Sequence, residues 1–129
     1  MTVFTEGRHP GEFLLTEATG SRSRDAIVIA SGAGVLAPGT VLGRFTSGAN
    51  AGKFTASINA AADPDVGQQV AVALLLYGVD ATSGDVAVAA ITRDAEVNGN
   101  VLTYHTSVDD ATKRAAKNAQ LAAVGIIVR

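Results

Sequence analysis

The sequence contains no cysteine and no tryptophan, and its aromatic residues amount to only 5% of the chain. Without cysteine, neither a disulfide framework nor a thiolate metal site can form. With so few aromatics, the core must be built from Val, Ile, Leu and closely packed Ala. The scarcity of aromatic residues also argues against a carbohydrate-binding surface module. A chain of 129 residues has the usual size of a single domain.

Charge of one sign and long apolar runs are also lacking. The formal net charge is −2, with both signs scattered along the chain, which argues against a dedicated nucleic-acid surface. The longest apolar run, residues 70–77, is far too short to span a bilayer. The first eight residues hold no apolar segment typical of a secretory signal. We therefore expect neither nucleic acid nor membrane as a direct partner.

Catalytic and cofactor motifs are absent as well. Residues 47–54 come near a phosphate-binding loop, but Ser47 and Phe54 stand where that motif requires glycine and Ser or Thr. Neither His9 nor His105 has a second histidine or a cysteine as a metal-ligand partner three or four residues away. The pattern predicts a hairpin loop, two surface histidines, no cofactor and no catalytic role.

Acidic residues fall in turns, where they most often cap the backbone or face solvent. A calcium site remains open, although no EF-hand spacing is present. An enzyme hypothesis also stays open, in which the protein is a small trimeric β-clip enzyme whose site lies between subunits. Asp80 and Asp85 are its candidate residues; the other acidic turn residues are Asp63 and Asp65.

Residues 1–24 show neither helical nor alternating periodicity, yet they contain Val3, Phe4 and the run Phe13-Leu14-Leu15. Disordered tails are usually poor in large apolar residues. Residues 1–24 therefore fit either a disordered tail or, as their apolar anchors favour, a flexible arm that orders against its own domain or a partner. Residues 25–129 are predicted to form one β-rich globular domain.

About seven short strands are predicted after residue 24, with no internal repeat. Pro38-Gly39 suits the centre of a type II turn. Asn98-Gly99 is a strong hairpin signal between residues 95–97 and 101–104. The apolar run over residues 69–77 fits a buried strand or a short buried helix. The remaining strands are predicted over residues 25–30, 41–45, 53–58 and 85–93.

One amphipathic helix precedes Gly125, and an apolar strand over residues 126–128 ends the chain. Ser107 is predicted to cap this helix, with Asp110 three residues on. A stripe of small residues, formed by Val108, Ala111, Ala115, Ala119 and Ala122, is predicted to face the sheet. Leu121 and Val124 then lie on the opposite face and are candidates for a contact between subunits.

Many weak matches, in order along nearly the whole chain, resemble the head decoration proteins of lambda-like tailed bacteriophages. They cover residues 8–18, 23–24, 35–43, 71–82, 86–96, 110–114 and the Gly-Ile-Ile-Val ending. The resemblance implies a mainly β fold with one C-terminal helix, a β-clip-like small barrel or sandwich, and a trimer.

The resemblance also implies a function. Proteins of that family bind the outside of the expanded head and clamp the major capsid protein against the pressure of packaged DNA. Their N-terminal arm is loose in the free trimer and orders on the shell. The protein is then a virion component on the outer capsid surface. The positions here that match the arm are Phe4, Arg8, His9, Pro10, Gly11, Glu12, Phe13, Leu14 and Leu15.

Overall fold

The structure is a computed structural model that describes residues 2–61, 64 and 66–129. This part of the chain is mainly β, with a single α-helix near its C-terminal end, as the sequence predicted. The strands are β1 (Leu14–Glu17), β2 (Arg24–Ile29), β3 (Gly34–Leu36), β4 (Val41–Arg44), β5 (Phe54–Ala56), β6 (Ala71–Leu75), β7 (Val79–Ala81), β8 (Val86–Ile91), β9 (Ala95–Val97) and β10 (Ile126–Val128). A 3₁₀ helix spans Gly99–Val101, and the α-helix α1 spans Ala111–Ala123.

Five strands close into a small barrel in the order β2-β5-β4-β6-β8. Strand β2 alternates as a half-buried strand should, because Ile27 and Ile29 point inward while Ala26 and Val28 point outward. The barrel interior is small enough to be filled by aliphatic side chains alone. The buried residues of this first core are Ile27, Ile29, Leu42, Ala73, Leu75 and Ala90, with Ala81 from the neighbouring strand β7.

A second core lies beside the barrel, under a three-stranded sheet in the order β1-β9-β10. Strand β1 pairs antiparallel with β9, and β10 pairs parallel with β9. Helix α1 packs against β10 and β6 and thereby links this sheet to the barrel. Among the buried residues of this core are Phe13, Leu74, Leu76, Ile91, Val97, Leu121 and Ile126.

Several local predictions are confirmed. The run over residues 69–77, which fitted a strand or a helix, forms strand β6. Gly39 has φ of 83° at the third position of the predicted type II turn, and the turn closes from the Thr40 amide to the Ala37 carbonyl at 3.2 Å. Strands β3 and β7, which pair with each other, were not anticipated.

The predicted hairpin at Asn98-Gly99 is wrong. Asn98 instead caps the 3₁₀ helix, and its side chain accepts a hydrogen bond from the Asn100 amide. Strand β9 finds its partners far away in the sequence, in β1 and β10. A turn signal acts locally, whereas here the pairing is decided by which apolar strands complete the second core.

The orientation predicted for helix α1 is also wrong. Leu121 is fully buried and Lys117 is 1% exposed, whereas Ala111, Ala115 and Ala119 face outward. The cap differs too, since the Asp110 side chain, rather than Ser107, accepts the Lys113 amide hydrogen at 2.8 Å. Leu121 therefore contributes to the core of its own chain and cannot serve as a contact between subunits.

Candidate functional site

Residues 2–9 are exposed and join neither a strand nor a helix, and we call them the N-terminal segment. Phe4 is 91% exposed and Val3 is 79% exposed. Side chains of this size more often contribute to a core, and here two of them lie next to each other in solvent. The N-terminal segment thus places two large apolar side chains in solvent.

Charged residues surround the end of the N-terminal segment. His9 Nε2 lies 3.0 Å from a Glu6 carboxylate oxygen, and His9 Nδ1 lies 3.7 Å from Glu12. Arg8 lies 3.7 Å from the same Glu12 side chain. A turn follows, in which the Glu12 amide donates to the His9 carbonyl at 3.3 Å. These exposed contacts contribute little stability.

The predicted arm divides at Phe13. The Phe13 side chain is fully buried in the second core, and its carbonyl accepts the Asn98 amide hydrogen at 2.8 Å. Leu14 is partly buried against the same core, while Leu15 is 52% exposed on β1. Residues 14–17 belong to a sheet and residue 24 begins a barrel strand, so the boundary predicted at residue 24 lies inside the fold.

A groove of about 210 Å³ lies where the N-terminal segment meets the barrel, between Pro10, Gly11, Leu76 and Tyr77, with Arg24 at its side. Arg24 is held by Glu17 through its Nε at 3.0 Å. Hydrogen bonding to Arg24 lowers the pKa of Glu17, and the same contact raises the pKa of Arg24. The pair therefore stays charged over the physiological range and keeps the guanidinium beside the groove.

Sequence reasoning missed Arg24, Leu76 and Tyr77 at this groove. Leu76 and Tyr77 come directly after strand β6, at the end of the apolar run and before a turn glycine. Residues at the end of a strand lie at the rim of the sheet, and this position was one available signal. The paired charges of Glu17 and Arg24 on either side of Gly20 were the other available signal, because they fit a hairpin-like return of the chain.

The acidic candidates for an enzyme site take part in local contacts. Asp80 accepts hydrogen bonds from both the amide and the hydroxyl of Thr82. Asp85 accepts the Ser31 amide hydrogen at 2.8 Å and pairs with Lys53 at 2.7 Å. These bonds lower the pKa of both carboxyl groups and give them the role of turn caps. Asp63 and Asp65 lie outside the described residues.

The remaining residues singled out in the sequence lie in separate parts of the structure. Lys53, the lysine of the incomplete phosphate-binding loop, precedes strand β5, so its loop lies between strands as predicted. His105 Nδ1 lies 2.8 Å from the Ser107 hydroxyl, which in turn accepts the Asn59 amide hydrogen. Val124 is partly buried against the second core. In the described residues, no group of three or more His, Asp or Glu side chains is placed to hold a metal ion.

A comparison with protein families identifies the chain's relatives. The family model for bacteriophage lambda head decoration protein D matches residues 3–126. The chain belongs to the bacteriophage lambda head decoration protein D family. The match includes most of the N-terminal segment and strands β1 to β9 with helix α1. No curated protein sequence matches the chain significantly.

Membership of the head decoration family assigns a structural role in the phage head, as the sequence resemblance implied. The protein is a component of the virion capsid. No helix in the described part of the chain is both long and apolar enough to cross a membrane.

Proposed function

We propose that the protein binds as a homotrimer to the outside of the expanded phage head and clamps neighbouring subunits of the major capsid protein. The N-terminal segment is the principal contact. The observation that carries this proposal is the exposure of Val3 and Phe4 on a segment outside both cores, in a chain of the head decoration family. With a net charge of −2, the partner is the protein shell rather than the DNA inside it.

Strand addition supports this mode of contact. The N-terminal segment leads through the turn at residues 9–14 into β1, which lies at one edge of its sheet. An extended segment that pairs with a strand of the shell gains affinity from backbone hydrogen bonds, and side chains in pockets give specificity. Burying one Phe side chain contributes about 1.5–3 kcal/mol. Phe4 is the largest side chain available for such a pocket.

A trimer multiplies this contact. Three segments on one rigid body bind with avidity, which can exceed the affinity of a single contact by a factor of roughly a hundred to ten thousand. Each segment can then be individually weak and still hold the shell. A clamp built in this way also resists detachment, because all three contacts must break before the trimer leaves.

The first test is co-sedimentation with expanded, undecorated heads. We expect Phe4→Ser to weaken binding by roughly tenfold or more per subunit, since about 1.4 kcal/mol corresponds to a factor of ten. Val35→Ser is the matched control, because Val35 is 76% exposed on β3, away from the N-terminal segment. Binding that is equally strong for both variants would place the shell contact elsewhere on the domain.

Sedimentation equilibrium at micromolar concentration tests the trimer. We expect a single species of three times the chain mass, for the full-length protein and for Phe4→Ser alike, because Phe4 lies outside both cores. A clean monomer would contradict the trimeric clamp. The same experiment with Phe4→Ser separates a loss of shell affinity from a loss of assembly.

A further inference from the structure

The Asn98-Gly99 pair occupies a crowded junction of three chain segments. The Asn98 amide donates to the Phe13 carbonyl at 2.8 Å, and the Gly99 amide donates to the Arg129 carbonyl at 2.9 Å. The Asn98 Oδ1 atom accepts the Asn100 amide hydrogen at 3.0 Å. A Cβ atom at Gly99 would lie 2.8 Å from the Val128 side chain. Glycine is favoured here by the close approach of β10, because any larger residue would force the Val128 side chain to shift.

Asparagine followed by glycine is also the pair most prone to a spontaneous reaction, because glycine offers no side chain to shield its amide. The Gly99 nitrogen attacks Cγ of Asn98, the new C–N bond closes a five-membered succinimide, and the side-chain nitrogen leaves as ammonia. Water then opens the ring at either carbonyl and leaves aspartate or isoaspartate. No other reactant is needed.

We propose that Asn98 is a deamidation site whose reactivity is controlled by the docking of β10. Ring closure requires the Gly99 amide to lose its proton and its nitrogen to turn towards Asn98 Cγ. In the folded protein, that N–H is bonded to the Arg129 carbonyl, and the peptide lies against Val128. The reaction therefore proceeds only from states in which the end of β10 has moved away. Such local opening governs exchange and cleavage at protected backbone sites in general.

The product would alter the start of β1. Isoaspartate carries the main chain through its side-chain carbon, which adds one methylene between residues 98 and 99. The Asn98 amide could then no longer remain in register with the Phe13 carbonyl while Gly99 stays bonded to Arg129. Either the hydrogen bond between Gly99 and Arg129 or the one between Asn98 and Phe13 must then break. Deamidation would thus weaken the point at which the N-terminal segment joins the domain.

The test is peptide mapping by mass spectrometry during incubation at neutral to mildly alkaline pH. In the full-length protein we expect Asn98 to react more than about tenfold more slowly than in the same protein unfolded in urea, since even a modest opening free energy gives that factor. Removing Arg129 deletes the oxygen that accepts the Gly99 amide hydrogen, together with the Arg129 amide that donates to the Val97 carbonyl at 2.8 Å. We expect this variant to react roughly fivefold faster than the full-length chain, the factor that one hydrogen bond supplies.

Arg129→Ala is the matched control. It keeps the main-chain carbonyl that holds Gly99 but loses the 2.9 Å ion pair between Arg129 and Glu96, so we expect the full-length rate. Four other asparagines, each followed by Ala or Val, serve as slow internal references: Asn50, Asn59, Asn100 and Asn118. Circular dichroism of the shortened chain confirms that the fold persists.

Two results would overturn the proposal. One is an Asn98 rate in the native protein equal to the rate in urea, which would mean that the Arg129 contact protects nothing. The other is an equal rate in the full-length chain and in a folded variant without Arg129. If the shortened chain does not fold, the comparison of native with urea-unfolded full-length protein still decides the matter.

Discussion

Lys117 shows how one residue can reverse the predicted orientation of a helix. Its side chain is 1% exposed, and its Nζ donates to the Ser57 hydroxyl at 3.0 Å, to the Ile58 carbonyl at 2.6 Å and to the Gln69 carbonyl. Within the described residues, no carboxylate pairs with it. Lysine is almost never fully buried unless its charge is satisfied. Here three oxygen acceptors replace an acid, and they join α1 to the chain around β5 and β6.

We expect Lys117→Met to destabilise the protein by roughly 1–3 kcal/mol, because it fills a similar volume but leaves buried acceptors without a donor. Burial lowers the pKa of Lys117 below its ordinary value of 10.5. Between the lowered pKa and 10.5, the unfolded chain binds more protons than the folded one, so the free energy of unfolding of the wild type rises with pH relative to Lys117→Met. Urea titrations at several alkaline pH values measure this difference. A difference between the two proteins that stays constant through that range would show that burial does not lower the pKa of Lys117.

Burial raises the pKa of Tyr104, which titrates in the same alkaline range. Its contribution to the pH dependence has the opposite sign, because the folded state holds the phenol proton more tightly than the unfolded state does. Tyr104 is present in both proteins, so its effect cancels in the difference between the wild type and Lys117→Met. The comparison therefore isolates Lys117.

At the scale of an element, helix α1 separates what periodicity can predict from what it cannot. Its position was predicted correctly because the acidic start, the alanine-rich middle and Gly125 are local signals. Its buried face was predicted wrongly because a helical wheel assigns every lysine to solvent. Lys117, Leu121 and Val124 share one face. The buried position of Lys117 can be recognised only from its hydrogen-bond acceptors on Ser57, Ile58 and Gln69, which lie elsewhere in the chain.

The corrected orientation of α1 predicts opposite outcomes for two substitutions. Leu121→Ala removes a fully buried side chain and should lower the free energy of unfolding by about 2–5 kcal/mol. Ala119→Ser, on the exposed face, should change it by less than about 0.5 kcal/mol. Chemical denaturation of both variants is the measurement. A larger effect at Ala119 than at Leu121 would restore the orientation predicted from the sequence.

The strands follow the same division between local and distant causes. Strands β2, β4, β5 and β8 were found because alternation and β-branched residues are visible in a short window. Strand β1 was assigned to an arm because its four residues lack that pattern. It exists as a strand through its pairing with β9, about eighty positions later in the chain. No pattern within a short window of sequence predicts the pairing of strands that lie so far apart in the chain.

At the scale of the whole molecule, the two cores decide where the domain begins. Phe13 is fully buried in the second core, and the Leu14 amide is bonded to the Gly11 carbonyl at 3.1 Å. The N-terminal segment contributes no residue to either core. The folded body thus begins between residues 9 and 13. The sequence suggested residue 24, because the change of pattern is sharpest there.

Two truncations locate this boundary. Removing residues 1–9 deletes Val3 and Phe4 and the exposed pairs of Arg8 and His9, so the melting temperature of the free protein should stay within about 2 °C of the full-length value. Removing residues 1–13 takes Phe13 out of the core. Losing a buried Phe costs about 3–5 kcal/mol, which lowers the melting temperature by roughly 10 °C or more in a domain of this size.

Differential scanning calorimetry of both truncations, with Phe13→Ala as a point variant that keeps the chain length, completes this test. Phe13→Ala should behave like the longer truncation, because both empty the same space beneath β9 and α1. Co-sedimentation with expanded heads then separates stability from attachment. The shorter truncation should keep its fold and lose stable binding, while Phe13→Ala should lose stability and, at a temperature where it remains folded, still bind through Val3 and Phe4. A 1–9 truncation that melts far below the full-length protein would make the N-terminal segment part of the folded body, and the clamp would then have to act through another surface.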